Sequence, residues 1–585
     1  MIRVVLSKLC IGAGVAGILL TIATLTYPQP IFSNATYTLP DGTVIPFEMP
    51  LNITTSENTV LSIDIEMEAN NSMQSLQFIP DDCLEELTIN NLRITSNILP
   101  FCDYTNGRII DISDIIHPGT NTIHALIRNH GGPTAFAIKQ DIKRLSQLGL
   151  VLSIIICVIG ILFFVTTTKN VRPKWSWYTV AILASIAIRF LYYLETDIQT
   201  RGYDTDGHIE YLMYMIANWS IPAASGGWQY YQPPLYYLLL AIPGIFTNSK
   251  EIILWYAQVF SLLLSSGSVL AAAWVIQQIF TKKSQLNARV LTLALYGFFP
   301  ASVFFSSRIN NDVLLELLII LFLGSILRWW NEKGDRWLYV CSISLGLAII
   351  TKSNALLLLP ILILSIILRS KSSLREKCSY GAIALVIIGG LSTWHASIRH
   401  AEGQTNIVGN LSGLTSDLKI ETNFQNLIQF NPIRLISQPY NNPWEDASGR
   451  QYFFEYLFRS AFTGEFSFGD SLVPIVSSMI LFGLILLLTT IVGFWNIIRT
   501  YTMRYLPLWT IPVAVLLGHT LFRQFVAPYS CSQDFRYSIG ALLPLAIITV
   551  FGIERLPSML RRSLHIVGWS FVALCTIFLS SVHIA

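Results

Sequence analysis

Charge is scarce in this chain. Asp, Glu, Lys and Arg make up 12% of its 585 residues, about half of what a soluble globular protein carries. The charge that is present has no strong sign, with a formal net of +3 and no tract of Lys or Arg. That gives no basis for expecting a nucleic-acid partner. The eight cysteines follow no metal-binding spacing. Cys10, Cys157, Cys341 and Cys575 fall within apolar runs, where a small buried thiol is ordinary packing. Apolar residues are what the chain has in abundance: 52% are hydrophobic and the mean hydropathy is +0.53. A lipid bilayer is therefore the first expected partner.

Residues 9–26 form an apolar run behind Arg3 and Lys8, the pattern of a signal peptide or a signal anchor. No small-x-small cleavage site follows, so residues 1–27 are expected to be an uncleaved anchor helix with a cytoplasmic N-terminus. Residues 28–145 are polar, rich in Asn, Thr and Asp, and read as short strands broken by turns. Thr59–Glu66 has alternating apolar positions, and Glu86–Ile94 and, after the turn Pro118-Gly119-Thr120-Asn121, Thr122–Arg128 are further strand candidates. An all-β domain is expected there. Cys83 and Cys102 both lie in it, and in an exported domain they are expected to form a disulfide.

From residue 147 onward, apolar stretches alternate with short polar links. A spanning helix needs about 20 apolar residues. Spans are expected near 147–167, 176–193, 253–279, 288–307, 311–329, 337–351, 353–369, 379–396, 472–496, 506–522, 537–553 and 566–583. The fold class is thus a multispanning α-helical membrane protein of about 13–14 helices with an inserted all-β outer domain. The expected order is the anchor at 1–27, the β domain at 28–145 and a membrane core at 146–396 with a large loop at 194–233. An outer segment at 397–471 and C-terminal spans at 472–585 follow.

Basic residues orient these spans. Lys169, Arg172 and Lys174 mark one cytoplasmic link, Lys282, Lys283 and Arg289 a second, Arg328, Lys333 and Arg336 a third. Arg369, Lys371, Arg375 and Lys377, then Arg499 and Arg504, then Arg555, Arg561 and Arg562 complete the series. They place 28–145, 194–233 and 397–471 on the outer face. Leu235–Phe246 is apolar but about half a span long and begins with Pro233-Pro234. Alternation holds if it enters without crossing.

Four polar clusters then fall at the outer ends of spans. They are Asp204, Asp206, His208 and Glu210; Arg308 to Asp312; Thr351-Lys352-Ser353-Asn354; and Gln533-Asp534-Phe535-Arg536-Tyr537. Arg308, Lys352 and Arg536 depart from the positive-inside pattern, and ionisable groups at such depths usually mark a site or pathway. Plainer explanations exist for each alone. Asp204 or Asp206 caps a helix starting near Gly207; Lys352 pairs with Asp312; Arg536 snorkels to headgroups; and the rings of Trp228, Tyr230, Tyr231, Tyr236 and Tyr237 form an interfacial belt. Their concentration on one face favours a site. Cations in an outer cleft suit a lipid phosphate, and a neighbouring carboxylate suits a general base. Asp204 and Asp206 are also the candidate ligands for a divalent cation, Mg or Mn.

Taken in order, Asp-x-Asp-x-His at 204–208, Gln232-Pro233-Pro234-Leu235-Tyr236-Tyr237, Arg308 to Asp312, Thr351-Lys352 and Arg536-Tyr537 resemble the GT-C membrane glycosyltransferases. The protein-mannosyltransferase and lipid A aminoarabinose-transferase branch is the nearest likeness, and it covers about 170–555. With its runs Cys83 to Asn91, Gly107 to Ile112 and Pro118 to Ile123, the β domain resembles galactose-binding-like jelly rolls over about 60 residues, which leaves sugar binding or a structural role open. The GT-C resemblance implies inverting transfer of a sugar from a polyprenyl-phosphate donor to a glycan, lipid or protein acceptor. It also implies a bacterial inner or plasma membrane, with the reaction on the non-cytoplasmic face. It implies a loop Asp as base, Asp204 or Asp206, with His208 beside it. Lys352 and Arg536 would hold the phosphate, Arg308 and Asp312 would shape the cleft, and Tyr231, Gln232 and Tyr537 would line it. Two departures stand out: Thr205 replaces the Glu that usually follows the loop Asp, and Gln232 replaces a His or Lys before the prolines. Segment 397–471, with Gly449–Tyr456 amphipathic, reads as the acceptor side or as a structural cap. A glycolipid transporter or flippase, and a membrane-anchored carbohydrate-binding protein, are the competing functions.

Overall fold

The computed structural model describes residues 31–140 and 176–582, apart from 48, 57, 70–74, 81–82, 95–98, 103–107, 113–114, 130–132, 197, 199–200, 248, 332–333, 370–371, 404–408, 410, 412–417 and 502. The expected anchor at 1–27 and the span at 147–167 lie outside the described residues. The chain divides into two compact units, Met1–Lys174 and Trp175–Ala585.

The first unit is a β sandwich. One antiparallel sheet has the order β2-β1-β4-β10-β6-β7, with β8 added to β6, and the other has the order β3-β11-β5-β9. The strands are β1 Ile31–Thr38, β2 Val44–Pro46, β3 Leu51–Thr54, β4 Val60–Ala69, β5 Ser75–Pro80, β6 Cys83–Ile89, β7 Leu92–Arg93, β8 Phe101–Cys102, β9 Arg108–Asp111, β10 Gly119–Arg128 and β11 Pro133–Gln140. Alternation in β4 sends Leu61, Ile63, Ile65 and Met67 inward, because successive strand side chains point to opposite faces. Those residues join Leu87, Ile89, Ile123, Ala125 and Ile127 in one apolar core. Cys83 is held in a disulfide, and the β6–β8 register sets Cys83 opposite Cys102.

The second unit is helical. Its elements are α1 Trp177–Glu195, α2 Thr205–Asn218, α3 Leu235–Leu240, α4 Lys250–Ile279, α5 Leu286–Gly297, α6 Pro300–Phe304, α7 Asp312–Asn331, α8 Arg336–Ile349 and α9 Leu359–Leu368. Next come α10 Leu374–Ala401, α11 Phe424–Ile428, α12 Pro432–Ser437, α13 Phe453–Thr463, α14 Val473–Tyr501, α15 Leu506–Phe525, α16 Leu542–Glu554 and α17 Ser558–Ser581. Among the described residues, eight helical stretches are long and apolar enough to cross a membrane, so this is an integral membrane protein.

Other apolar stretches form shorter pieces. The stretch near 288–307 breaks into α5 and α6 at Pro300, where proline supplies no N–H to continue the helix. Gly297 at the break lets α1 pack closely, since a Cβ there would collide with the Ser185 side chain. The stretch after Pro234 is only α3 followed by a short 3-10 turn, Ile242–Ile245. That is well under the length of a span. It is anchored instead by Leu235 N–H donating to the Ile350 carbonyl at 3.0 Å.

A buried polar ladder runs between α1, α4, α6 and α7. Arg189 donates to Ser265 Oγ, Ser302 Oγ and the carbonyls of Ser185 and Gly297. Ser302 and Tyr296 donate in turn to one carboxylate oxygen of Glu316. Glu316 lies one helical turn from Asp312 on α7, so the ladder continues the polar face on which the site is built.

Candidate active site

The site forms where the starts of α2 and α7, the link between α8 and α9, and the turn before α16 meet. Asp204 stands at the entry to α2 with φ 52° and ψ 30°, a left-handed conformation uncommon outside glycine. It does not cap the helix with its side chain. One carboxylate oxygen accepts from the Trp228 indole N–H at 3.0 Å, the other from Arg536 Nη1 at 3.2 Å. Burial pushes the Asp204 carboxyl up, but the Arg536 guanidinium and the Trp228 bond outweigh it and hold the group below the usual carboxylate range. Asp206 lies in the first turn of α2 and is exposed. His208 is buried, shares a 2.6 Å hydrogen bond with the Tyr237 hydroxyl, and is kept neutral by burial, its imidazole pushed down to about 4.

Three buried cations, Lys352, Arg536 and Arg308, belong to the same cluster. Lys352 Nζ donates to Asp312 Oδ1 at 2.7 Å, with side chains only 8% and 0% exposed. Lys352 also lies 5.4 Å from the Tyr537 ring centre. Arg536 Nη2 donates to the Tyr537 hydroxyl at 3.2 Å. Arg308 is 1% exposed and boxed by the rings of Tyr203, Phe304, Phe305 and Phe466, 4.4 to 5.9 Å away. Its Nε and Nη2 are buried and donate to no acceptor. Arg536 Nε and Asp312 Oδ2 are likewise buried without a partner. Buried polar atoms are nearly always satisfied, so such a concentration calls for an explanation.

Gln232 donates to Gln229 Oε1 and to the Tyr231 hydroxyl, while its own oxygen accepts from Asn311 at 3.3 Å. The structure thus brings together Asp204, His208, Tyr231, Gln232, Arg308, Asp312, Lys352, Arg536 and Tyr537. Asp206 stands apart. Both oxygens of Asp204 accept hydrogen bonds, and Asp206 faces solvent. Among the described residues, no three His, Cys, Asp or Glu side chains converge as a metal set.

Three further residues belong to this site. Tyr203 donates its hydroxyl to Asp534 Oδ2 at 2.9 Å, and its ring carries both the Arg308 guanidinium at 4.4 Å and the Arg536 guanidinium at 4.3 Å. Asp534 caps its own turn by accepting from Arg536 N at 2.7 Å. Glu465 follows Gly464, whose φ of 66° lets the backbone pass so near the Tyr203 hydroxyl that a Cβ would collide with it. An aromatic residue beside the loop acid, and an acid just after the aromatic-rich segment at 452–458, were the available sequence signals. The amphipathic α13 turns out to be mostly buried within the helical unit. Its Glu455 holds Arg434 through paired bonds of 2.8 and 2.7 Å. A separate cavity of about 1200 Å³ lies at the opposite helix ends, beside Trp274, Arg328, Trp330 and Arg369, and contains none of the cluster.

Residues 231–394, which carry Tyr231, Gln232, Arg308, Asp312 and Lys352, decide the comparison. They match the family model described as dolichyl-phosphate-mannose-protein mannosyltransferase. Over this segment the chain is like a membrane glycosyltransferase, which agrees with the GT-C resemblance of its motifs. No curated protein matches the chain. The crystal structure of ArnT from Cupriavidus metallidurans in the apo state is similar at a TM-score of 0.41 and 14% identity, covering 68% of this chain and 63% of that one. The cryo-EM structure of arabinosyltransferase EmbB from Mycobacterium smegmatis is similar at a TM-score of 0.35 and 10% identity, covering 94% of this chain and 53% of that one. The chain thus spans less than two thirds of the length of either.

Proposed function

We propose that this protein is an inverting glycosyltransferase that moves a sugar from a polyprenyl-phosphate donor to a glycan, lipid or protein acceptor on the non-cytoplasmic face of the membrane. The observation that carries the reading is Arg308. A fully buried guanidinium with unpartnered N–H groups costs several kcal/mol, and a phosphate oxygen is the partner its geometry suits. Arg536 Nε and the Lys352 ammonium lie in the same cluster. Together they supply preorganised charge for the phosphate as it leaves with the bonding electrons. The matched family's description, with its dolichyl-phosphate-linked mannose, supports a donor of this class.

Asp204 is the proposed base. Its side chain is 29% exposed, so an acceptor hydroxyl or amine can approach, and its ionised state is maintained at neutral pH. The acceptor attacks the sugar carbon as Asp204 takes its proton, and the bond to the phosphate oxygen breaks. A single displacement with base and phosphate on opposite sides of the sugar inverts that carbon. Asp206 is not assigned to the chemistry, and no step passes through a metal ion. His208 and Tyr237 brace α2 against α3 beneath the acid.

The test is transfer by the purified full chain in lipid nanodiscs, using synthetic polyprenyl-phosphate mannose and polyprenyl-phosphate arabinose with extracted envelope glycans and lipids, and mass spectrometry as readout. Asp204→Asn is expected to lower transfer roughly 100-fold or more, the usual worth of general-base catalysis, while Asp206→Asn transfers at close to the wild-type rate. Unimpaired transfer by Asp204→Asn refutes the base assignment. Lipid crossing the bilayer with no transfer at all favours the transporter reading.

A further inference from the structure

Transfer from a sugar phosphodiester leaves one additional negative charge on the lipid phosphate and frees one proton from the acceptor. Inside a buried site, separating those two charges costs far more than it does in water. Asp204 is badly suited to keep the proton. Both its oxygens already accept hydrogen bonds, and Arg536 favours its ionised form.

Glu465 has the opposite character. It lies in the turn after α13, between two residues that both touch Tyr203. Gly464 passes beside the Tyr203 hydroxyl, and the Phe466 ring packs 5.0 Å from the Tyr203 ring. Tyr203 is the residue before Asp204, so this turn is packed against the immediate neighbour of the proposed base. Glu465 Oε1 is buried and has no hydrogen-bond partner. Asp204 and Asp312 each bond a cation, and both oxygens of Asp534 accept from the Tyr203 hydroxyl and the Arg536 backbone N–H, whereas Glu465 keeps a buried oxygen open.

We propose that Glu465 receives the acceptor proton that Asp204 removes and holds it beside the departing lipid phosphate until the products leave. This rests on the glycosyl-transfer reading. In the balanced step, the acceptor O–H or N–H bond breaks and its proton passes through Asp204 to the Glu465 carboxylate, which becomes a neutral acid. The acceptor-to-sugar bond forms as the bond from sugar carbon to phosphate oxygen breaks, and the electron pair leaves on the phosphate. No electrons are exchanged with any other species, and the proton reaches water on product release.

The surroundings favour such a store. Asp204 and Tyr203 face Glu465 from the start of α2, Arg308 from the turn before α7, and Tyr456 from α13. Cys531, Asp534 and Arg536 face it from the turn before α16. Burial raises the Glu465 carboxyl first, and the negative charge of Asp534 raises it further. Arg536 and Arg308 offset this only in part. A carboxyl raised in this way takes and releases a proton nearer neutrality than an ordinary one, where proton transfer is most efficient.

The pH profile of kcat and KM for the nanodisc-embedded full chain separates this role from a structural one. The probe is synthetic polyprenyl-phosphate mannose or arabinose, whichever the wild type turns over, and release of polyprenyl phosphate is followed. Wild-type kcat should rise along a single-proton limb above the ordinary carboxylate range, because Glu465 must be ionised to accept. Glu465→Gln should lose that limb and lower kcat by roughly 100-fold with little change in KM, and Glu465→Asp should restore a limb displaced along the pH axis. Wild-type kcat in Glu465→Gln, or a reduced kcat that keeps the wild-type limb, overturns the proposal and leaves glycosyl transfer standing. If Glu465→Gln does not elute as a folded species, Glu465→Asp decides alone, an undisplaced limb counting against the role. A wild-type chain that turns over neither donor overturns both readings.

Discussion

Replacing Lys352 by Met should destabilise the protein strongly, and adding Asp312→Leu should restore most of the loss. The pair is 2.7 Å apart with side chains 8% and 0% exposed. Asp312 Oδ2 is already without a partner, so Lys352→Met leaves the whole carboxylate uncompensated. Breaking a buried ion pair from one side costs about 3–5 kcal/mol. Asp312 is the first residue of α7, and a helix N-terminus stabilises an anion by roughly 0.3–1 kcal/mol, which offsets part of that cost. About 3–4 kcal/mol is expected for Lys352→Met, whereas Lys352→Met/Asp312→Leu should fall within about 1 kcal/mol of wild type, since a hydrophobic replacement of both partners is often neutral or better. The assay is the fraction of monodisperse protein surviving stepwise heating in detergent. The double variant should recover the heating midpoint yet turn over no polyprenyl-phosphate donor. A double variant no more stable than Lys352→Met would show that the two side chains are not energetically coupled and would refute the loss of about 3–4 kcal/mol expected from breaking the pair.

Other outcomes follow from the same geometry. Tyr203→Phe keeps the ring that carries Arg308 and Arg536 but loses the Asp534 bond, so KM for the donor should rise several-fold. Tyr203→Leu removes both, and should lower kcat/KM well below Tyr203→Phe; equal effects would deny the ring a role. Asp204 gives a pH-dependent stability term. Its carboxyl is depressed by Arg536, so the stabilisation is fully present above the ordinary carboxylate value and is lost as pH falls through the folded one. Asp204→Asn should therefore be less stable than wild type near pH 7, by no more than about 1 kcal/mol for a partly exposed pair. The two heating midpoints should converge at acid pH, and a constant gap down to pH 3 would contradict the sign.

Much of the site was legible in the sequence because a membrane makes charge expensive. Arg308, Lys352 and Arg536 drew attention as cations out of pattern, and pairing with Asp312 was among the readings open for Lys352. The sandwich was legible from strand alternation, since β4 and β10 present apolar side chains at every second position. What the sequence did not show was partnership across distance. Tyr203 and Asp534 are 331 positions apart, and nothing local marks a tyrosine ring as the platform for two guanidiniums. Glu465 lay hidden in a stretch read as acceptor side or cap, because what marks it is a buried oxygen without a hydrogen-bond partner, a property of three-dimensional packing. Continuous apolar composition also concealed the break at Pro300, where α5 and α6 divide what reads as one span.

The long reach of the Asp204–Arg536 bond, 332 positions along the chain, has a consequence for biosynthesis. When the loop bearing Asp204 emerges from the ribosome, neither of its later partners, Arg536 nor the Asp534 that fixes Tyr203, has yet been made. The acid must pass through most of membrane insertion without its counter-charge, and the site can close only after α15 is in place. A chain arrested before residue 530 would therefore lack α16, α17 and the turn that carries Asp534 and Arg536, and the charge cluster around Asp204 would stay unassembled.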